Sequence, residues 1–161
     1  MRTEDLSQAY DKLLSVAGAI TDDDPITEAA RTQIDWVITH IALSDRMLAD
    51  TARSILNGRE AYVDNASAMS STTIGTLVST SSHRDRVDMA RHNAHVLIGI
   101  LDEMPQAAAD VDVRTRLVNR DGETVFDGFL AWGDIIHTRT TQHIPGHTAT
   151  LARLTGNSNH A

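Results

Sequence analysis

Apolar side chains recur every three or four positions along four long segments of this chain, and this spacing limits the fold more than any other feature. On an α-helix such residues line one face, which has to be buried against other elements. The segments run from Thr3 to Ile20, Thr27 to Leu56, Arg84 to Asp102 and Gly128 to Leu154. Four amphipathic helices in a chain of 161 residues predict an all-α fold, a four-helix bundle.

The second segment carries the clearest helix signals. An acidic turn at residues 21–25 precedes Thr27, which can cap the helix, and Gly58 follows its last apolar position. The apolar seam of this helix continues from Ile34 to Ile55, and His40 lies beside it on the same face. We therefore expect the His40 side chain to point into the interior.

Two connections complete the expected domain. The stretch from Arg59 to Ser82 is polar and rich in Ser and Thr, which predicts a long crossover after the second helix rather than a regular element. Before the fourth helix, Asp121-Gly122 separates two β-prone runs, which predicts a short hairpin or extended loop between Arg114 and Phe126. We expect one domain over residues 1–155 and a flexible tail over residues 156–161.

The composition excludes several classes of ligand and partner. The chain has no cysteine, so any metal ion has to be held by His, Asp or Glu, and no disulfide can form. Its 14 Lys and Arg residues are dispersed among 22 acidic ones, and the net charge of −8 disfavours binding to nucleic acid. No apolar run approaches the ~18 residues of a membrane span, and no export signal is visible. We expect a cytoplasmic protein without a membrane partner.

Three histidines are the strongest candidates for chemistry. His143 and His147 are four residues apart, so their rings project from the same face of one helix and can share an ion. His40 and His143 lie near the middle of the second and fourth helices, and antiparallel or diagonal packing can bring all three rings to one level. Three neutral imidazoles leave further positions on a divalent ion for water or substrate, as in catalytic sites.

Two alternatives qualify this prediction. The three histidines can instead be ordinary core or surface residues that hydrogen-bond to Ser44, Thr140 or water. Pro145 lies inside the proposed pair, where it removes a backbone hydrogen bond. Either the helix bends at Pro145, or a new helix starts near it and the geometry of the pair changes.

The remaining polar and aromatic residues near these positions receive weaker assignments. His137 is expected in an outer shell or at the mouth of the site, His92 is expected to be exposed, and His95 could approach the same cavity. His83 and His160 are expected to be exposed to solvent. Asp45 and Asp134 are expected in an outer shell of the site or at the surface, and Trp36 and Trp132 are expected to pack in the core.

The chain resembles the DinB/YfiT-like family over most of its length, from about Thr3 to Leu154. The resemblance is carried by a helix-borne His in TQIDWVITHIALSDRML, a long crossover, a third helix, and a final helix with TTQHIPGHTATLARL. In that family a four-helix bundle holds a metal ion through one His of the second helix and an HxxxH pair of the fourth. Those ligands correspond to His40, His143 and His147, although Pro145 and Gly146 depart from the family pattern.

This resemblance implies a function. The family includes thiol-dependent transferases and isomerases that use mycothiol or bacillithiol, alongside members with no assigned activity. It implies a metal-dependent transferase, isomerase or hydrolase. In the thiol-dependent enzymes, zinc, nickel or iron would bind the thiol of a low-molecular-weight cofactor, which then attacks a small electrophilic substrate. The alternative is a non-catalytic helical bundle that binds a small ligand or a protein partner. A homodimer is compatible with either, since bundles of this size commonly pair through a helix face.

Overall fold

Long helices form most of the structure, as the periodicity predicted. The computed structural model describes residues 1–156, so the predicted tail lies outside the described residues beyond Gly156. In chain order the elements are helix α1 (Glu4–Gly18), helix α2 (Glu28–Leu56), strand β1 (Tyr62–Asp64), helices α3 (Ala66–Met69), α4 (Ser71–Thr80) and α5 (His83–Glu103), a 3-10 turn (Gln106–Asp110), strands β2 (Asp112–Val118) and β3 (Thr124–Ala131), helix α6 (Trp132–Thr138), a π-helical turn (Arg139–His143) and helix α7 (Ile144–Leu154).

Side chains at the helix starts satisfy backbone amides that have no partner inside the helix. The Thr27 hydroxyl accepts a hydrogen bond from the amide of Ala30 at 3.2 Å, which confirms Thr27 as the cap of α2. At the start of α5, Ser82 and Asp85 form a reciprocal capping box. These caps set the starts of the two longest helices from local sequence alone.

The core lies between the long helices. Helix α2 packs on α5 and α7, and α1 packs on α5 and α7. The apolar faces meet in one cluster, whose fully buried large side chains include Leu6, Leu13, Ile34, Ile38, Ile41, Leu97, Leu101, Ile144 and Leu151. Within residues 1–156, no helix combines the length and apolar character that crossing a bilayer requires.

A three-stranded mixed sheet contradicts the all-α, four-helix-bundle prediction. Strand β1 pairs in parallel with β2, and β2 pairs antiparallel with β3. Gly122, at φ +80°, lies in the turn between β2 and β3, where Asp121-Gly122 predicts a hairpin. The two strands are longer than the predicted hairpin, however, and β3 continues to Ala131. The last helix therefore begins at Trp132 and not at Gly128.

The predicted crossover is also wrong, because residues 59–82 contain regular elements. Strand β1 has three residues and pairs with Arg114 to Arg116, far along the chain, so no local periodicity reveals it. Helix α4 buries Ile74, and Ser70 caps it by accepting from the amide of Thr73. Its Ser and Thr content suppresses the helical pattern in the sequence, since these residues also favour turns.

A close backbone approach at Gly133 leads to a prediction about stability. A Cβ atom at Gly133 would lie 3.0 Å from the Cβ of Ala109 and 3.1 Å from its carbonyl oxygen. We expect Gly133→Ala to lower the free energy of unfolding by ~1–3 kcal/mol, because α6 and the 3-10 turn would have to separate. Gly99, in α5, has open space around it, so Gly99→Ala should raise that free energy by ~0.5–1 kcal/mol. Urea unfolding measures both, and stabilisation by both substitutions would contradict the tight contact.

Candidate metal centre

The structure brings the three predicted histidines together. One ring nitrogen from each of His40, His143 and His147 lies within 4.8 Å of the other two, a group that could hold a metal ion. The Nε2 atom of His143 is central, at 3.2 Å from Nε2 of His40 and 3.3 Å from Nε2 of His147. Within residues 1–156, no other set of three or more His, Asp or Glu residues converges in this way.

The π-helical turn ends just before Pro145, so the proline does not disrupt the pair formed by His143 and His147. Helix α7 begins at Ile144, so Pro145 stands in its first turn, where a missing N–H costs little. His143 and Ile144 both keep right-handed helical backbone angles (φ −69°, ψ −55° and φ −66°, ψ −46°), so the chain continues along one helical path. The ring centroids of His143 and His147 are 4.5 Å apart. A new helical segment therefore starts beside Pro145, as the second alternative has it, but the change of pair geometry that this alternative included does not separate the two rings.

A backbone carbonyl and a stacked aromatic side chain hold the His40 ring in place. Its Nδ1 atom donates to the carbonyl oxygen of Ala68 in α3 at 2.7 Å. Its face stacks on Trp36 with ring centroids 4.7 Å apart, and the guanidinium of Arg120 lies 3.5 Å from the centroid of the Trp36 ring. Trp36 is half-buried and supports the site, whereas Trp132 is fully buried in the core as expected. Because Nδ1 carries the proton, the lone pair of neutral His40 is on Nε2.

His143 contacts a buried ion pair that lies beneath the site. Nη1 of Arg139 donates to Nδ1 of His143 at 2.6 Å, and Nη2 donates to the carboxylate of Asp45. Tyr10 donates to the same carboxylate and accepts from Nε of Arg139 at 3.1 Å. Asp45 is therefore a buried partner of the site and not a surface residue. Thr140, offered as a partner for the histidines, instead donates to the carbonyl oxygen of Ile136.

Burial keeps all three rings neutral near pH 7. It lowers the pKa of His40 to about 3 and that of His147 to about 4. Burial, together with the charge of Arg139, also holds the pKa of His143 well below its usual range. Each ring therefore has one nitrogen lone pair, and the neutral imidazole is the form that binds metal ions.

A small cavity of about 270 Å³ lies beside His40 and His143. Its walls are mostly apolar, with hydroxyl groups from Ser44 and Thr115 and the carboxylate of Asp134. The apolar lining includes Met47, Leu48, Val63, Leu117, Leu130 and Ile135. Three of these residues belong to the strands, so the three-stranded sheet, of which the sequence predicted only a short hairpin or loop, forms one wall of the cavity.

The other histidines do not join the site. His92 and His95 are exposed on α5, and His137 is exposed on α6. His83 was expected to be solvated, but it is half-buried and its Nε2 atom donates to the carbonyl oxygen of Ala17 at 2.9 Å. His160 lies outside the described residues.

Comparison of the chain with protein-family models, with curated proteins and with solved structures finds no match in any of the three. The resemblance to the DinB/YfiT-like family therefore rests on the residues quoted above, and it stays a prediction.

Proposed function

We propose that this protein is a metal-dependent enzyme in which His40, His143 and His147 hold a divalent transition-metal ion. The observation that carries the proposal is the convergence of three imidazole nitrogens next to a small cavity with mostly apolar walls. Catalytic metal sites commonly combine three protein ligands with an open position, and ligand pockets commonly combine apolar walls with a few polar groups.

The donor set suits zinc, nickel or iron. Imidazole nitrogen is a good ligand for each of these ions, and the chain contains no thiolate that would close the site. A metal-binding His usually donates its second ring nitrogen to an acceptor, which fixes the ring. His40 meets this requirement through the carbonyl oxygen of Ala68. The stacked Trp36 further restricts the ring, so His40 is oriented in advance for a ligand role.

The DinB/YfiT-like resemblance supplies a more specific reaction class. An ion at this position would lower the pKa of a thiol or water molecule that binds it, which is the chemistry that a thiol-dependent S-transferase or isomerase requires. The protein's own residues would bind and shield the substrate. The apolar walls exclude water, and the hydroxyl oxygens of Ser44 and Thr115 can accept hydrogen bonds. We propose mycothiol or bacillithiol as the thiol.

The size of the cavity limits the substrate. A volume of about 270 Å³ lies just below the range of ~300–1,000 Å³ that is usual for ligand pockets. We propose that it accommodates only the electrophile, with its apolar part against Leu117, Leu130 and Ile135, while most of the thiol cofactor would lie outside the cavity. A small electrophile with an apolar body fits these walls best.

One observation favours the second candidate function, a non-catalytic protein that binds a small ligand or a partner. The histidines can satisfy one another without an ion, because Nε2 of His143 can donate to Nε2 of His40, whose Nδ1 atom in turn donates to Ala68. On this alternative the cluster is a structural feature beside a ligand cavity. Metal content is the measurement that separates the two candidates.

We expect untagged protein to contain close to one equivalent of transition metal per chain. Adding zinc, nickel or iron(II) to metal-stripped protein should raise its thermal midpoint, since a ligand at 1,000 times its Kd stabilises the folded state by ~4 kcal/mol. Elemental analysis and thermal unfolding provide the two measurements. Absence of stoichiometric metal together with an unchanged midpoint would favour the non-catalytic alternative.

The thiol is tested separately by calorimetric titration of the metal-loaded protein with mycothiol and with bacillithiol. We expect one of them to bind the metal-loaded protein and to bind the stripped protein much more weakly. The S-methylated form of the same thiol is the matched control, because it has no ionisable S–H group. Equal binding of the free and methylated thiols would contradict a thiol-dependent reaction. It would not contradict the metal site.

A further inference from the structure

The second nitrogen of His143 faces a donor where a metal ligand would normally face an acceptor. Nη1 of Arg139 lies 2.6 Å from Nδ1 of His143. A guanidinium group donates five hydrogen bonds and accepts none, and it stays protonated in proteins. Nδ1 of His143 must therefore be the acceptor in this contact. In the neutral ring the single proton is then on Nε2, the atom that points toward His40 and His147.

That proton completes a continuous chain of hydrogen bonds. Nε2 of His143 donates across 3.2 Å to Nε2 of His40, which has a lone pair because its Nδ1 donates to Ala68. Every hydrogen bond in this chain is donated in the same direction: Arg139 donates to His143, His143 to His40, and His40 to the Ala68 carbonyl oxygen. The proton on Nε2 of His143 points into the space between the three rings, where an ion would bind.

Arg139 is anchored so that it maintains this arrangement. Its Nη2 atom donates to Asp45 and to the carbonyl oxygen of Ile41, and its Nε atom donates to Tyr10. These contacts occupy the other two nitrogens of the planar guanidinium and direct Nη1 at His143. The side chains of Arg139 and Asp45 are only 5% and 0% exposed, so solvent screens the interaction little.

We propose that Arg139 is a positioning residue that holds His143 in a closed, hydrogen-bonded state and competes with the metal ion for this ring. The proposal rests on the metal site proposed above. For an ion to bind Nε2 of His143 while the ring stays neutral, Nδ1 has to carry the proton, and its contact with the Arg139 donor then has to break. The ring then loses its proton at Nε2 to solvent and takes up one at Nδ1, so it stays neutral and the protons balance. Arg139 therefore weakens metal binding and makes it dependent on this rearrangement.

The first test needs no metal. Long-range ¹H–¹⁵N NMR spectra of metal-stripped protein distinguish the two neutral forms of a histidine ring. We expect His143 protonated at Nε2 and His40 protonated at Nδ1. In the double variant Asp45→Asn/Arg139→Gln, the new amide oxygen at position 139 can accept a hydrogen bond, so His143 should shift toward the Nδ1-protonated form. His143 already protonated at Nδ1 in the wild type would overturn the proposal.

The second test is zinc titration of the same stripped proteins by calorimetry. We expect the double variant to bind zinc about 10–100 times more tightly than wild type, the size of effect that groups contacting a metal ligand usually have. The matched control is Asp35→Asn/Arg86→Gln, which removes the ion pair between α2 and α5, where Nη2 of Arg86 lies 2.7 Å from the Asp35 carboxylate. That control should lose stability but keep the wild-type zinc affinity.

The outcomes separate this proposal from the proposed function. Equal or weaker zinc binding by the double variant, with wild type binding normally, overturns the role of Arg139 and leaves the metal site intact. No zinc binding by either protein overturns the metal site as well. Circular dichroism checks that each variant is folded. If the double variant is not, Arg139→Lys is used instead, since it keeps a charge beside Asp45 but loses the forked donor, and tighter binding is again expected.

Discussion

Replacing His143 with Ala is expected to abolish tight metal binding. His143 is the central ring of the cluster, and its Nε2 atom lies 3.2 Å and 3.3 Å from the corresponding atoms of His40 and His147. Its removal deletes one of three ligands and the ring that lies closest to both of the others. The loss of affinity should exceed the ~10–100-fold that follows from losing a residue that only contacts a ligand. Metal stoichiometry of the purified proteins, supported by calorimetric titration, measures the effect.

Substitution of a second proposed ligand should have the same effect, and substitutions of histidines outside the cluster are the controls. His40→Ala should reduce metal binding nearly as much, because the ion would then be held by one helical segment alone. His92→Ala and His95→Ala remove exposed side chains on α5 and should leave the stoichiometry unchanged. His83→Ala should also retain the metal, although it loses a hydrogen bond to Ala17. Equal stoichiometry in wild type and all variants would show that the cluster is not a metal site.

The largest expected effect on stability is that of Asp45→Ala. This substitution leaves the guanidinium of Arg139 buried without its counter-charge and deprives Tyr10 of its acceptor. Breaking a buried ion pair by removing one partner costs ~3–5 kcal/mol, which is a large part of the ~5–15 kcal/mol that stabilises a typical domain. We expect a loss of that size in urea unfolding, and a fall in the thermal midpoint of about 10 °C.

The control for this experiment is an ion pair on the surface. Asp50 pairs with Arg53 at 2.8 Å, and the two side chains are 64% and 48% exposed. Exposed pairs of this kind contribute ~0–1 kcal/mol, so Asp50→Ala should change the free energy of unfolding by less than ~1 kcal/mol. A similarly small effect for Asp45→Ala would mean that Arg139 does not depend on this carboxylate.

Spacing within one helix explains why the histidine site could be predicted. The pair of His143 and His147 follows from a four-residue separation, and the inward position of His40 follows from its place beside the seam of α2. The same reasoning could have found Arg139, which is four residues before His143 and therefore on the same face. For Asp45 the sequence left open an outer shell or a surface position, and only its contact with Arg139 decides for the outer shell.

Other parts of the site could not be derived from spacing. Trp36 and Arg120 come from a helix and from the turn of a hairpin, and they meet only because the sheet packs beside α2. Ala68 accepts from His40 through a backbone carbonyl, a group that every residue has and that the sequence therefore does not distinguish. The part of the cavity wall formed by Val63 likewise depends on β1, which pairs with β2 over a long distance along the chain.

The sequence by itself determined the long helices, their caps and the histidines that share a helix face, because these properties depend on residues within a few positions of one another. Tertiary structure alone decided the pairing of β1 with β2, the cavity beside the histidines and the contact of Arg139 with both Asp45 and His143. Strand pairing and buried ion pairs join residues that are distant in the chain. Their free energy depends on burial and on the exact complement of donors and acceptors, which exist only once the chain has folded.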